Sequence, residues 1–423
     1  MNEFATHSPY PMIPFEQAMA IVWQQIGPLA PRRVALDDAL GLALAEEVRA
    51  EGPHPPFAAS TMDGYAIRAA DGVAPRRVLA EQEAGRVLDV AVEAGTCVRI
   101  MTGAPLPTGA DAVIPVELTE ERDGWMQAQA ALEPGRNVRP VGADLAAGQR
   151  ALPEGTALGP AEIGLLASLG ISQPSVYPRP RVAILATGDE LVGQGQPLAP
   201  GQIRDSNSYI LMAAVRSIGC EPIRMPRIAD TRDALRQALL AAAPQADLVL
   251  TTGGVSMGTR DLVKPVLEEL GVVHFGRVAI QPGKPLTFAS VQSTPVQSTP
   301  VLGLPGNPVS TLVGFEMVVR PMLREMANLR ARHRPEREVR LRQPVRHDPE
   351  RLEFHRARLQ YEDGGWWAVT TGSQSSSRLL SLVGADALLC IPQGVGNLPE
   401  GAQVRAILIH EPESEELPGL YDG

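Results

Sequence analysis

Between Arg179 and Arg320 the chain three times runs a short apolar stretch into a glycine-bearing turn and then into helical periodicity. Residues 182–186 lead into Thr187, Gly188, Asp189 and Glu190. Residues 248–250 lead into TTGGVSMG and Asp261, and residues 301–304 into PGNPVS. Strands that alternate with helices predict parallel pairing, and ligands of such sheets lie outside the carboxyl ends of the strands, where these turns fall. The helices between them have readable ends: Asn207 reads as the cap of a helix closed by Gly219, and Asp230 or Thr231 as the cap of one running to Ala243. Inside this region VQSTP occurs twice in succession, and the duplicate reads as a surface loop without chemistry.

Outside that region the periodicities change. Phe15, Met19, Val22, Trp23 and Ile26 recur at helical spacing, and residues 37–48 and 159–170 read as further helices. A proline cluster at 53–56 breaks the pattern. From 57 to 118, short strands separated by Asp-Gly, Ala-Gly and Thr-Gly turns predict a β-rich module. Beyond Arg320, alternating segments at 338–342, 352–359, 366–371 and 404–409 suit a small antiparallel barrel. The expected organisation is a multidomain α/β plus β chain: a helical domain in two segments (11–50 and 142–178), an inserted β domain (51–141), an α/β domain (179–330) and a C-terminal β barrel (335–412).

With 423 residues, several cores are expected. A hydrophobic share of 44% and a charged share of 20% describe a globular chain, with no apolar run long enough for a bilayer and no basic leader, so a cytoplasmic location is expected. Cys97, Cys220 and Cys390 lack metal or disulfide spacing. The net charge of −10 speaks against nucleic acid as a partner, although a local basic cluster or a hard cation could still admit a polyanion.

The candidate chemistry lies in the turns. Glu190 beside Asp189 could hold Mg²⁺ at a strand end, though such a pair alone reads equally as an acidic helix start. Gly253, Gly254 and Ser256 present backbone amides that can approach a phosphate, with Asp261 just beyond as a metal ligand or a helix cap. Pro305 and Pro308 stiffen the turn around Gly306. Lys284 sits in the rigid Gln281-Pro282-Gly283-Lys284-Pro285 loop with Arg277 nearby, suited to gripping a phosphate. STMDGYA, containing Asp63, and IMTGAPLP, containing Thr102, read locally as plain turns.

In this order, STMDGYA, IMTGAP, GADAVIPVE, ATGDEL, TTGGVSMG, PGKP and GLPGNPVS resemble the molybdopterin molybdenumtransferase family, which includes the bacterial MoeA proteins and the gephyrin E domain. The resemblance spans almost the whole chain. It implies Mg²⁺-dependent insertion of molybdate into adenylylated molybdopterin with release of AMP, in an elongated homodimer whose site is shared between subunits. It also implies transient contact with the adenylyltransferase and with recipient molybdoenzymes. The resemblance makes Asp63, Thr102, Glu190, Asp230 and Asp261 catalytic, with Glu190 and Asp261 on the metal. Arg139, Asp144, Arg356 and Ser376 become substrate contacts alongside Gly253, Gly254, Ser256, Arg277, Lys284, Pro305 and Pro308. Gln281 departs from the family by standing where lysine or arginine is usual, which removes a positive charge from the implied anion site. The same motifs leave two alternatives, a molybdopterin adenylyltransferase and a non-catalytic scaffold of the gephyrin kind.

Overall fold

The computed structural model describes residues 10–254, 262–294, 297–362 and 364–410. The chain divides into two compact units. One comprises residues up to Arg32, Gly41–Ala43 and the chain from Val176 onward; the other comprises Arg33–Leu40 and Leu44–Ser175.

The first unit is built on a six-stranded sheet: β1 (Arg181–Ala186), β2 (Glu221–Arg224), β3 (Leu248–Thr252), β4 (Gly271–Phe275), β5 (Thr287–Thr294) and β6 (Gln297–Leu304), in the order β2-β1-β3-β6-β5-β4. The first four in that order are parallel, as the strand-turn-helix repeats predict for β1, β3 and β6; β2 was not among the strands read from the sequence. The last two are antiparallel additions.

Alternation along β1 explains why its apolar run has no polar face. Val182 and Ile184 pack in one core with Leu211 and Val215, whereas Ala183 and Leu185 face the other core with Leu235 and Leu239. These partners lie on helices α2 (Asn207–Ser217) and α3 (Arg232–Ala242), and the N-terminal helix α1 (Phe15–Gln25) adds Ala18, Met19 and Val22 to the first core. Removing each such leucine or valine from water contributes about 1.5–3 kcal/mol. Helices α4 (Val263–Leu270) and α5 (Pro308–Gly314) follow β3 and β6.

The C-terminal part of this unit is a closed five-stranded barrel of β7 (Glu336–Leu341), β8 (Leu352–Glu362), β9 (Gly365–Thr370), β10 (Ala387–Ile391) and β11 (Gln403–Leu408). Contrary to the all-antiparallel expectation, β7 and β9 pair in parallel, while β8 closes on β10 antiparallel. Phe354, Leu388 and Ile407 on barrel strands join the same core as β1 and α1, so barrel and sheet share one interior.

The second unit centres on an antiparallel-rich sheet with strands in the order Ala112–Pro115, Gly64–Ile67, Thr96–Ile100, Arg76–Gln82, Trp125–Ala128 and Thr119–Arg122. Its helix Pro160–Ser168 starts where the Glu162 carboxylate accepts the Gly159 N–H at 2.9 Å.

Three local expectations fail for identifiable reasons. Residues 37–48 form only a 3-10 turn, Leu36–Asp38, and the two-residue strands Ala43–Leu44 and Val48–Arg49; Gly41 at φ +78° interrupts any helix there. Asn207 begins α2 from inside, and the cap is supplied by Asp205, whose Oδ1 accepts the Ser208 N–H at 3.0 Å. Thr231 does cap α3, accepting the Ala234 N–H. The described part of the VQSTP duplicate, 291–294 and 297–300, is not a loop: it forms the facing arms of β5 and β6, with Val291 opposite Thr299 and Gln292 opposite Ser298; residues 295 and 296 lie outside the described residues. Alternating β-branched and polar residues suit such arms better than a free loop.

The three cysteines are free, with Cys97 and Cys220 buried. Among the described residues no helix is long and apolar enough to cross a membrane.

Candidate active site

The carboxyl ends of β1, β3 and β6 open into a cavity of about 370 Å³ lined by Thr187, Glu190, Asn207, Thr252, Gly253 and Gly306, among others. Two glycines make the walls possible. Gly253 has φ +90°, and a Cβ there would lie 2.5 Å from the Thr187 carbonyl oxygen. At Gly188 a Cβ would lie 2.7 Å from Glu190 Oε1, so its absence leaves the room into which the Glu190 carboxylate folds.

Asn207 ties the strand ends together. Its Nδ2 donates to Thr252 Oγ1 at 2.8 Å and to the Gly306 carbonyl at 2.7 Å. Two buried oxygens of this cavity, Asn207 Oδ1 and Thr187 Oγ1, have no hydrogen-bond partner among the described residues. Buried polar atoms left unpaired are costly, and a ligand donor would satisfy them. Pro305 holds the turn after β6, its carbonyl accepting from Thr311 Oγ1 at 2.7 Å, and Pro308 opens α5. The sequence reading covers only Asn207 here, as a helix cap, and passes over Asp205 and Ser206; the signal available was three small polar residues in a row at the start of a helix in an α/β unit.

The acidic candidates divide. Glu190 is exposed at the cavity. Asp230 is not among the residues lining the cavity; a bridge between Thr187 and Ile228 brings its segment to the same loop, where its N–H is donated to Asp189 Oδ1 at 3.1 Å. Asp189 is therefore engaged in holding the loop. Asp261 and Ser256, with the rest of the VSMG stretch, lie outside the described residues. Among the described residues no cluster of three His, Cys, Asp or Glu side chains could hold a metal. The donors at the cavity are carboxylate, hydroxyl, amide and carbonyl oxygens, with no sulfur or imidazole among the lining residues, a set that fits a hard divalent cation.

A second cavity of about 530 Å³ lies where the Gln281-Pro282 turn meets the barrel, lined also by Arg346, Glu353, His355, Arg356 and Gln374. Arg356 is 1% exposed and its guanidinium reaches Ser381 Oγ at 3.2 Å and the Ser375 carbonyl at 3.3 Å. Burial lowers its pKa to about 10, so it stays a cation at neutral pH. Burial also lowers the pKa of Lys284, as do the nearby charges of Arg277 and Arg351, with Glu350 opposing them. His355, 8% exposed, is bonded to Glu353 Oε2 at 2.7 Å.

The segment from Gln374 to Leu379 separates the two cavities. Gln374 lines the second cavity, Ser377 and Leu379 the first, and between them Ser376 Oγ accepts from Asn307 Nδ2 at 2.8 Å. The Ser376 carbonyl accepts the Val309 N–H at 3.2 Å. Ser376 thus anchors the barrel segment to the turn that opens α5.

In the second unit the two sequence candidates that read locally as mere turns meet. Asp63 Oδ1 accepts the Thr102 backbone N–H at 2.7 Å and its hydroxyl at 2.8 Å. These bonds, the backbone one foremost, hold the exposed Asp63 carboxyl below its usual range. Gly64 follows in a strand so close to Ile114 that a Cβ would lie 2.0 Å from its carbonyl oxygen. Arg139 pairs with Asp144, and Val138–Arg139 lies in register with Ala59–Ser60, beside the Asp63 turn.

Three family models cover the chain. They are described as MoeA N-terminal region (domain I and II), matching 13–170, probable molybdopterin binding domain, matching 183–325, and MoeA C-terminal region (domain IV), matching 338–409. A molybdopterin molybdenumtransferase 2 of Mycobacterium tuberculosis is 37% identical over 92% of this chain and 98% of its own length. A gephyrin of Dictyostelium discoideum is 36% identical over 95% of this chain, which spans only 63% of that longer protein. Among solved structures, a molybdopterin biosynthesis MoeA protein of Pyrococcus horikoshii superposes with a TM-score of 0.81 at 32% identity, covering 94% of this chain and 99% of the other. With both cavities, the paired turns and these matches in view, the chain belongs to the molybdopterin molybdenumtransferase family, the enzymes of molybdenum cofactor biosynthesis.

Proposed function

We propose that this enzyme transfers molybdenum from molybdate to the dithiolene of adenylylated molybdopterin and releases AMP. The observation that carries this reading is the pair of cavities flanking the Gln374–Leu379 segment. One offers small residues, backbone polar groups and Glu190 at parallel strand ends, suited to a nucleotide diphosphate; the other carries Arg346 and the buried Arg356, suited to a dianion.

An oxygen nucleophile forms a bond to phosphorus as the phosphoanhydride bond to AMP breaks. The two dithiolene sulfurs bind molybdenum, and one molybdate oxygen leaves as water with the two thiol protons. Asn207 and the glycine turns fix the diphosphate end, and Ser376 holds the two cavities in register. Glu190, with Asp261 as a further donor, would hold Mg²⁺, which supplies neutralising charge to the leaving phosphate.

The reading extends to a cytoplasmic homodimer in which the Asp63–Thr102 edge of one chain completes the strand-end cavity of its partner. Its support is that Asp63 and Thr102 are already bonded to each other and exposed in a unit separate from that cavity. Free thiols at all three cysteines accord with a reducing compartment. Purified protein given adenylylated molybdopterin, Mg²⁺ and molybdate is expected to release AMP, and Glu190→Ala to lower the rate by about 100-fold or more while the fold persists. Equal rates in the variant and the parent would remove Glu190 from the reaction.

A further inference from the structure

One wall of the strand-end cavity presents acceptors. Asn207 commits both hydrogens of its amide nitrogen, one to Thr252 Oγ1 and one to the Gly306 carbonyl, and because a carbonyl only accepts, the amide cannot be turned the other way. Its Oδ1 is left with no hydrogen-bond partner among the described residues. Asn307, next to Gly306, repeats the arrangement: Nδ2 donates to Ser376 Oγ at 2.8 Å, and Oδ1 makes no hydrogen bond among the described residues. Asn307 also precedes α5 without capping it, so its side chain is not spent on the helix. Both asparagines line the cavity, and they flank one carbonyl, that of Gly306. Arg204, the only cation among the described lining residues, is turned to the Gln196 carbonyl at 3.1 Å.

An amide oxygen can only accept, and a diphosphate diester at neutral pH has only acceptors to offer it. The part of a ligand that meets this wall therefore carries O–H or N–H donors. In an adenylylated substrate two hydroxyls stand side by side near the phosphates, the 2′ and 3′ hydroxyls of the ribose. A pair of amide oxygens flanking one carbonyl suits that pair, much as a carboxylate accepts from the ribose in dinucleotide-binding folds.

We propose that Asn207 and Asn307 read the ribose diol of the adenylyl group, each amide oxygen accepting from one hydroxyl, so that the cavity selects ribonucleotides over deoxyribonucleotides. This rests on the reading of the strand-end cavity as the nucleotide side of the reaction. Asn207 then has two tasks, joining the turns through its nitrogen and addressing the ligand through its oxygen. Ser376 is the positioning residue for the second amide.

Asn307 separates this role from a structural one, because its side chain supports no backbone group of the helix it precedes. Full-length protein is titrated calorimetrically with AMP, 2′-deoxy-AMP and 3′-deoxy-AMP, in Mg²⁺ and again in EDTA. AMP is expected to bind about 5-fold or more tighter than either deoxynucleotide in both buffers. Asn307→Ala is expected to abolish the preference over one deoxynucleotide and keep the preference over the other. Asn307→Asp, whose carboxylate still accepts and can take the Ser376 hydroxyl, is expected to keep both. Equal binding of all three nucleotides, both preferences surviving in Asn307→Ala, a preference confined to Mg²⁺, or no binding of AMP by the parent protein would overturn the proposal. A ribose preference that depends on Asn307 in a parent protein that never releases AMP from the pterin nucleotide would sustain it and overturn the reaction proposed above instead.

Discussion

Asn207 gives one amide nitrogen to Thr252 and to the Gly306 carbonyl, so a single side chain joins the turns that follow β3 and β6. Aspartate has no donor for either contact. Asn207→Asp is expected to lower Tm and to reduce kcat/KM for the pterin nucleotide by about 10-fold or more, read from thermal melts and initial rates. His355 makes a different kind of prediction. Burial, only partly offset by Glu353, holds its pKa below the ordinary 6.5, so the unfolded chain takes up the proton more readily. The stability it contributes is complete above that ordinary value and is lost as pH falls through the lower folded value. Tm should therefore fall between about pH 7 and pH 5, with a smaller fall in His355→Gln; identical slopes would show that another group governs it. At this scale the sequence was readable where chemistry coincides with a turn residue, as at Gly253 and Glu190. Asn207 was legible only as a helix cap, and its role of joining two turns was not, because its partners Thr252 and Gly306 are far away in sequence.

The VQSTP hairpin shows how elements depend on partners. Read alone, a polar duplicate beside prolines suggests a loop; in the sheet it extends β5 and β6 in register. Val291 is buried in the core beneath α3 while its neighbour Gln292 is exposed, the period of two expected for a strand. Val291→Asp should destabilise the first unit by about 3 kcal/mol or more, by burying an unpaired carboxylate, whereas Gln292→Asp should change stability by less than about 0.5 kcal/mol. Similar melting shifts for both would mean that the arms are not paired. The parallel strands β1, β3 and β6 were legible because each carries a continuous apolar run before its turn, whereas β2, with the sequence EPIR, has no such run and was not. The segment at 37–48 misled because apolar residues at helical spacing say nothing of the break that Gly41 makes at positive φ.

At the scale of the molecule, the candidate residues divide between two compact units, Asp63 and Thr102 in one and both cavities in the other. The proposed homodimer with a shared site would make this division functional, and complementation tests it. Asp63→Ala and Glu190→Ala proteins, each inactive alone, should regain about a quarter of the parent rate after subunit exchange, because mixed dimers hold one intact site. No recovery despite exchange would place both residues in the site of a single chain. Changes in periodicity along the chain separate strand-rich from helical stretches, but the proposed sharing of a site would be a property of the assembly and has no local signature.

In the proposed reaction one protein couples release of AMP to capture of molybdenum. The most direct measurement is the yield of AMP and of dithiolene-bound molybdenum from adenylylated molybdopterin and Mg²⁺, with and without molybdate. Equal amounts of both products are expected, formed only when molybdate is present. AMP released at the same rate without molybdate, or molybdenum bound with the adenylylated pterin intact, would contradict it.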